Sequence, residues 1–283
     1  MRTAELQRRL PRSLAAAVAA FSATTLILSS LILSSGQGVR AEESSGLTAR
    51  SMEPTIVAVG DSYLAGIGAG EYLTVDGCRR SARSPAAALA TRTRADLVDL
   101  TCPGNTIPQA LRSTSRIPAN ADLTLIQAGG NDIGFAILAG ACLLGGSSTC
   151  RAAVGAAHRQ LPEVRRGTID LVRQARLKAP TSRVIVLGYP RLLGGAKQCS
   201  ALLDQNRVRD VNRLQRTLDR VIKSAARSAG AEFVDWPRSV DRASLCSGDP
   251  WYALPGDRID DLLHPDARAT IALSRSLAKA WTP

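Results

Sequence analysis

A serine, a histidine and a few turn residues carry the chemistry legible in this 283-residue sequence. Thr55-Ile-Val-Ala-Val-Gly60-Asp61-Ser62-Tyr63 is an apolar, β-branched run that halts at a glycine and delivers a serine just beyond it. Such a run reads as a buried strand, and the turn that follows exposes its first side chains at the sheet edge. Ser62 is therefore placed like a nucleophile, although a strand-to-helix turn capped by Asp61 or Ser62 would share the local pattern. A serine hydroxyl is a poor nucleophile at neutral pH and needs an adjacent base, usually histidine. His158 sits inside a helical stretch beside Arg159, an ordinary surface or partly packed position. His264 stands in Asp260-Asp261-Leu262-Leu263-His264-Pro265, directly before a final amphipathic helix in which Pro265 suits the first position. Asp261, three residues ahead, can fold back across one turn and accept the Nδ1 proton, leaving Nε2 free to take a proton from serine. The same Asp-x-x-His also suits a capping turn.

Acyl transfer further needs donors aimed at the oxygen that becomes negative, and loss of one donor typically costs about a hundredfold to a thousandfold in rate. Gly104 can supply a backbone N–H and Asn131 a side-chain amide, with the Ser62 N–H as a third donor. Each alone is equally a turn glycine or an Asx-turn residue. Their coincidence is what those local readings leave unexplained.

The elements that must position these residues alternate along the chain. Candidate strands are Thr55–Val59, Leu97–Leu100, Leu123–Gln127, Arg183–Leu187 and Glu232–Val234; candidate helices are Pro85–Thr93, Ile107–Ser113, Ala152–Lys178, Gln205–Ala229 and Pro265–Ala280. Alternation of this kind implies a parallel sheet covered on both faces. Ligands of such sheets bind outside the carboxyl ends of the strands, which is where Gly60-Asp61-Ser62, Thr101-Cys102-Pro103-Gly104-Asn105 and Ala128-Gly129-Gly130-Asn131-Asp132 fall. The stretch Ala136–Leu144 is expected to border an acyl pocket, and Trp251 and Tyr252 either line the cleft or seal the core.

The N-terminus orders positive, apolar and small-residue regions as a secretory leader does, with Arg2, Arg8, Arg9 and Arg12 ahead of the run Ser13–Leu33. Cleavage near Ala41 is expected, an uncleaved membrane anchor being the alternative. Residues 42–54 read as a flexible lead-in and 55–283 as a single domain, long enough for one substantial core. Six cysteines without a Cys-x-x-Cys pair favour three disulfides over zinc in an exported chain, and no metal site is expected. Fifteen connectivities are possible; the sequential one, Cys78–Cys102, Cys142–Cys150 and Cys199–Cys246, would staple the loops of neighbouring elements. The net charge is +12, but the arginines are scattered and aromatics few, which argues against nucleic acid. Attraction to an anionic lipid surface is compatible with it.

Taken together, Gly60-Asp61-Ser62, Gly104, Gly130-Asn131-Asp132 and Asp261-x-x-His264 resemble, in order and approximate spacing, the SGNH hydrolases, also called GDSL lipases and esterases. The resemblance covers nearly all of the chain beyond the leader. It implies a three-layer α/β/α sandwich around a central, mainly parallel five-stranded sheet of the SGNH, flavodoxin-like kind. It also implies Ser62 as nucleophile, His264 as general base, Asp261 as its orienting acid, and Ser62 N–H, Gly104 N–H and Asn131 as the oxyanion hole. The cysteine positions look most like the secreted bacterial branch with three disulfides, in which some members replace the acid by a backbone carbonyl. A monomeric carboxylic ester hydrolase acting on small-molecule or lipid esters, needing no cofactor, is the expectation. Carbohydrate deacetylation, thioester hydrolysis or a non-catalytic binding domain are the alternatives. Gly66-Ile-Gly68-Ala-Gly70 hints at dinucleotide binding, but its third glycine falls one residue early, and it reads instead as a flexible loop at the site entrance. The sequence lacks Gly-x-Ser-x-Gly, His-Glu-x-x-His and Walker motifs, so the enzyme classes they mark are unsupported.

Overall fold

Short β-branched runs surrounded by helical periods have one stable arrangement, a parallel sheet with both faces covered, and the chain adopts it. The structure, a computed structural model, describes residues 53–200, 203–254 and 258–281. The leader expected over residues 1–41, and the lead-in of 42–54 apart from its last two residues, lie outside them. Among the described residues no helix is long and apolar enough to cross a membrane.

Five strands form one parallel sheet: β1 (Thr55–Gly60), β4 (Asp96–Asp99), β5 (Leu123–Gln127), β6 (Arg183–Leu187) and β7 (Glu232–Val234), in the order β4-β1-β5-β6-β7. A separate antiparallel hairpin pairs β2 (Tyr72–Val75) with β3 (Cys78–Ser81). All six residues of β1 are buried, which demands cover on both faces. Helix α1 (Pro85–Thr93) packs against α7 (Ala267–Ala280), whereas α2 (Ile107–Ser113), α3 (Phe135–Leu143) and α5 (Gln205–Ser228) pack on the long α4 (Ser147–Lys178). Burying each Val, Ile or Leu of the central strands contributes about 1.5–3 kcal/mol. A short α6 (Arg238–Arg242) completes the helices described.

Local chemistry sets the helix starts. Ser84 caps α1 through a 3.1 Å bond from Ala87 N, ahead of Pro85. Asp266, not Pro265, delimits α7: its Oδ1 accepts from Arg268 N and Ala269 N at 2.8 and 3.1 Å. Pro265 instead lies outside the helix, in a β-bridge with Tyr252. That corrects the expected helix start, because the cap that satisfies two orphan N–H groups outweighs proline's preference for the first turn.

The cysteines pair in sequence order, Cys78–Cys102, Cys142–Cys150 and Cys199–Cys246. The first ties the β2–β3 hairpin to the turn that follows β4. The hairpin was absent from the sequence reading, although Asp76-Gly77 marks it: both residues have positive φ, 47° and 79°, as a two-residue type I′ turn requires.

Candidate active site

Gly60 ends β1 so close to β5 that an added Cβ would lie 2.2 Å from Gln127 O. Asp61 N then donates to Gln127 O at 3.0 Å, and Asp61 Oδ1 accepts from Tyr63 N at 3.0 Å. This Asx turn draws the Asp61 carboxylate inward and carries Ser62 to the cleft. Asp61 is 1% exposed, and burial holds its carboxyl up at about 7. Its second oxygen accepts from the Tyr189 hydroxyl.

Ser62 and His264, 202 residues apart, meet at the carboxyl ends of the strands, Oγ lying 2.8 Å from Nε2. His264 Nδ1 faces the Leu262 carbonyl oxygen at 3.0 Å. A carbonyl can only accept, so Nδ1 carries the proton and Nε2 presents its lone pair to the serine hydroxyl. Burial pulls the imidazole's pKa below its ordinary value, only partly opposed by the Leu262 carbonyl and the Asp261 charge. The ring is therefore neutral at pH 7, the state a general base needs. Tyr63 packs against it, ring centroids 5.0 Å apart.

Asp261 does not reach the imidazole as the Nδ1 acceptor. Its Oδ2 accepts from the Tyr72 hydroxyl at 2.7 Å and its Oδ1 pairs with the Arg79 guanidinium. The expectation that Asp261 orients His264 by a direct hydrogen bond is thus corrected. A guanidinium and a phenol capture both carboxylate oxygens, and the carbonyl one residue on stands nearer to Nδ1.

Gly104 has φ +82°, and an added Cβ there would meet nothing within 4 Å. Among the described residues neither its N–H nor that of Ser62 has an acceptor. Asn131 Nδ2 donates to Asn105 O at 2.9 Å, which aims the amide and leaves its second N–H available. Asn105 Nδ2 in turn donates to Gly60 O at 3.3 Å, and Cys102 N donates to the same carbonyl at 3.0 Å. Ser62, Gly104, Asn131 and His264 line one cleft of about 1170 Å³. Its walls are apolar, built from Phe135, Leu138 and Leu143 of α3 and Val211, Leu214 and Leu218 of α5. The expected role of the 136–144 stretch as a pocket border matches this placement.

One other expectation changes and one left open is resolved. The glycine run is no open entrance loop: a Cβ on Gly66 would lie 2.6 Å from Ser84 Cα and one on Gly68 2.6 Å from Pro265 O, so Gly66 lets the backbone pass close to the start of α1 and Gly68 close to the histidine turn. Tyr252 is buried, donates to Arg191 O at 2.9 Å and lies outside this cleft, which settles it as a core seal; Trp251 stacks near Arg268. His158 sits half-buried on α4, away from the cleft. The sequence reading missed Tyr189, Tyr72 and Arg79. Tyr189 follows β6 at the same sheet edge as the other turns, so the strand-end rule extends to it; nothing local marks Tyr72 or Arg79.

The family model for GDSL-like lipases and acylhydrolases matches residues 58–269. The chain is 31% identical over 249 residues to Lipase 1 of Streptomyces coelicolor, covering 85% of this chain and 91% of that one. Among solved structures it is similar to phospholipase A1 from Streptomyces albidoflavus NA297, with TM-score 0.73 and 29% identity, covering 79% of this chain and 99% of the other. The extracellular lipase of Streptomyces rimosus superposes with TM-score 0.74 at 28% identity, with the same coverage.

Proposed function

The chain belongs to the GDSL-like lipase/acylhydrolase family and is a carboxylic ester hydrolase; we propose that it works through an acyl-enzyme on Ser62 with His264 as base. The observation that carries this reading is the pair of contacts at His264: Leu262 O lies 3.0 Å from Nδ1, which assigns the ring proton there, and Ser62 Oγ lies 2.8 Å from the Nε2 left free to accept. Nε2 takes the hydroxyl proton as Oγ attacks the ester carbonyl, then returns it to the leaving alkoxide. A water, deprotonated by the same nitrogen, hydrolyses the acyl-enzyme and frees the acid. The Ser62 and Gly104 N–H groups and the Asn131 amide receive the oxyanion, donors worth most in a site walled from water. No step calls for a metal or organic cofactor.

The apolar walls between α3 and α5 suit an aliphatic acyl chain, so lipid esters, phospholipids included, are the proposed substrate class. Ile137 and Leu144 stand seven residues apart on one face of the α3 region, 76% and 90% exposed, and Leu144 also borders the cleft. That face and the surplus positive charge support docking on an anionic lipid surface. The site is complete within one chain, so the reading needs only a monomer. Disulfide use by all six cysteines supports export, with the leader removed near Ala41 and residues 55–283 as the mature domain.

The test is a turnover profile over p-nitrophenyl esters of rising chain length, beside phospholipid and acetylated sugar. Ser62→Ala and His264→Ala are each expected to abolish nearly all turnover, the double being no worse than either, because such residues act as a unit. Retention of most activity by folded Ser62→Ala would end the scheme. A maximum on acetylated sugar would move the chain to carbohydrate deacetylation.

A further inference from the structure

The acceptor that fixes the His264 tautomer is a backbone carbonyl, so its aim depends on a turn rather than on a rotamer. His264 N donates to Asp261 O at 3.2 Å, closing the turn Asp261–His264, and its third residue, Leu263, has φ +65° while Leu262 stays at negative φ. That is the signature of a type II turn, whose third position calls for glycine or asparagine. A leucine there is strained. In the type I alternative, open to any residue, the Leu262–Leu263 peptide turns over and its carbonyl points away from Nδ1.

Something must hold the strained form, and the contacts that do so come from outside the turn. Leu263 N donates to Ala253 O at 3.3 Å and Leu263 O accepts from the Tyr63 hydroxyl at 3.2 Å, gripping the far end. The near end is Asp261, whose two carboxylate oxygens are taken by Tyr72 and Arg79 of the β2–β3 hairpin. Arg79 lies over the Tyr72 ring at 4.4 Å, and the Tyr72 hydroxyl accepts from Gly68 N at 2.8 Å. The hairpin is itself tied by Cys78–Cys102 to the turn bearing Gly104.

We propose that Tyr72 and Arg79 are positioning residues that act through Asp261, holding the Asp261–His264 turn in the form that presents the Leu262 carbonyl to His264 Nδ1. This rests on the Ser62–His264 reading and adds what aligns its base. The charged and titratable groups facing His264 are Asp261 on its own turn, Arg79 on the hairpin and Tyr63 after β1. Through charge alone Arg79 depresses the basicity of His264, so removing it would raise the imidazole pKa. Through the turn its removal does the reverse: Nδ1 loses its acceptor, the pKa drops and the tautomer is freed. The two effects have opposite signs.

The experiment uses the full chain with a soluble, monomeric p-nitrophenyl ester. Tyr72→Phe, Arg79→Gln and their double are compared with the same variants carrying Leu263→Gly, folding being monitored by thermal melts. The double is expected to lower kcat on the order of tenfold, as the competent turn becomes a minor conformer, with KM little changed. The acid limb of kcat/KM moves to lower pH. Leu263→Gly added to the double restores most of the lost kcat, because glycine accepts positive φ without strain. Wild-type kcat in the double, an acid limb that rises, or no recovery with Leu263→Gly overturns the proposal. Should the double fail to fold, Tyr72→Phe decides: the ring and its Arg79 contact remain, and an unchanged kcat and pH profile overturns the proposal. Fluorophosphonate labelling of the wild type at Ser62 is read separately. Its failure removes the underlying Ser62–His264 scheme, whereas labelling with unaltered clamp variants removes only the positioning role.

Discussion

The Tyr189 hydroxyl donates to Asp61 Oδ2 at 2.5 Å and accepts the Gly130 N–H at 2.8 Å. One phenol therefore joins the turn bearing Ser62 to the turn bearing Asn131, under the cleft and out of water. Asp61, adjacent to Ser62, takes its place in the fold as the inner anchor of that link.

Tyr189→Phe keeps the ring and deletes the link. Two buried partners lose their bond, so folding stability is expected to fall by about 1–3 kcal/mol in a denaturant titration. Because Asn131 follows Gly130, kcat should fall more than KM changes. A variant of unchanged stability would mean that water replaces the phenol without cost.

Asp261→Ala should cost less turnover than His264→Ala, since Leu262 supplies the acceptor for Nδ1 and Asp261 acts through the turn and its charge rather than through a bond to the imidazole. Parallel kcat measurements on the two purified variants decide it. Equal losses would return the carboxylate to the role of direct partner.

Burial of His264 depresses its pKa, and a base must be unprotonated to work. The acid limb of kcat/KM is therefore expected below the ordinary imidazole pKa of 6.5. Stability runs the other way for Asp61. Its native carboxyl titrates near 7 against an ordinary 3.8, so the folded state keeps a proton that the unfolded chain releases. Its contribution falls as pH climbs from about 4 to about 7 and then levels, while the depressed His264 adds stability as pH rises towards 6.5. Melting temperatures from pH 4 to 8 should fall less with pH in Asp61→Asn than in the wild type. Asp219, likewise raised to about 7 by burial, retains part of the slope in both.

Cross-links stabilise partly by restricting the unfolded chain, and more so for longer loops. The sequence separations are 47 residues for Cys199–Cys246 and 8 for Cys142–Cys150. Replacing the first pair by serine should cost about 1.5 kcal/mol more than replacing the second, from loop entropy alone. Denaturant midpoints of the two double variants measure it.

Ile137→Ser is expected to weaken co-sedimentation of Ser62→Ala protein with vesicles containing anionic phospholipid, and in the otherwise wild-type chain to leave turnover of a monomeric short-chain ester largely intact. Binding that survives the change would place the docking face elsewhere.

Much of this molecule is written locally. The strands β1, β5, β6 and β7 are β-branched or apolar runs with turn residues at their ends, and α5 carries its apolar face at helical period, so backbone preference and burial agree. Because every parallel strand points the same way, Ser62, Gly104 and Asn131 had to fall on one edge once the strands were assigned. The hairpin clamp and the partner of Nδ1 are of another kind. Arg79 and Asp261 are 182 residues apart, Tyr189 and Asp61 128, and no periodicity relates them. Within the Asp261–His264 turn, sequence spacing permits either a carboxylate or a carbonyl to face Nδ1. The choice falls to competition: a guanidinium and a phenol brought by a distant hairpin bind the carboxylate in a largely buried site, where an unpaired charge is costly. The sequence by itself singled out Ser62 and His264 and determined the edge on which Ser62, Gly104 and Asn131 fall, because those follow from local pattern and strand direction. Only the tertiary structure decided which atom faces His264 Nδ1, because that depends on which donors packing delivers to one buried carboxylate.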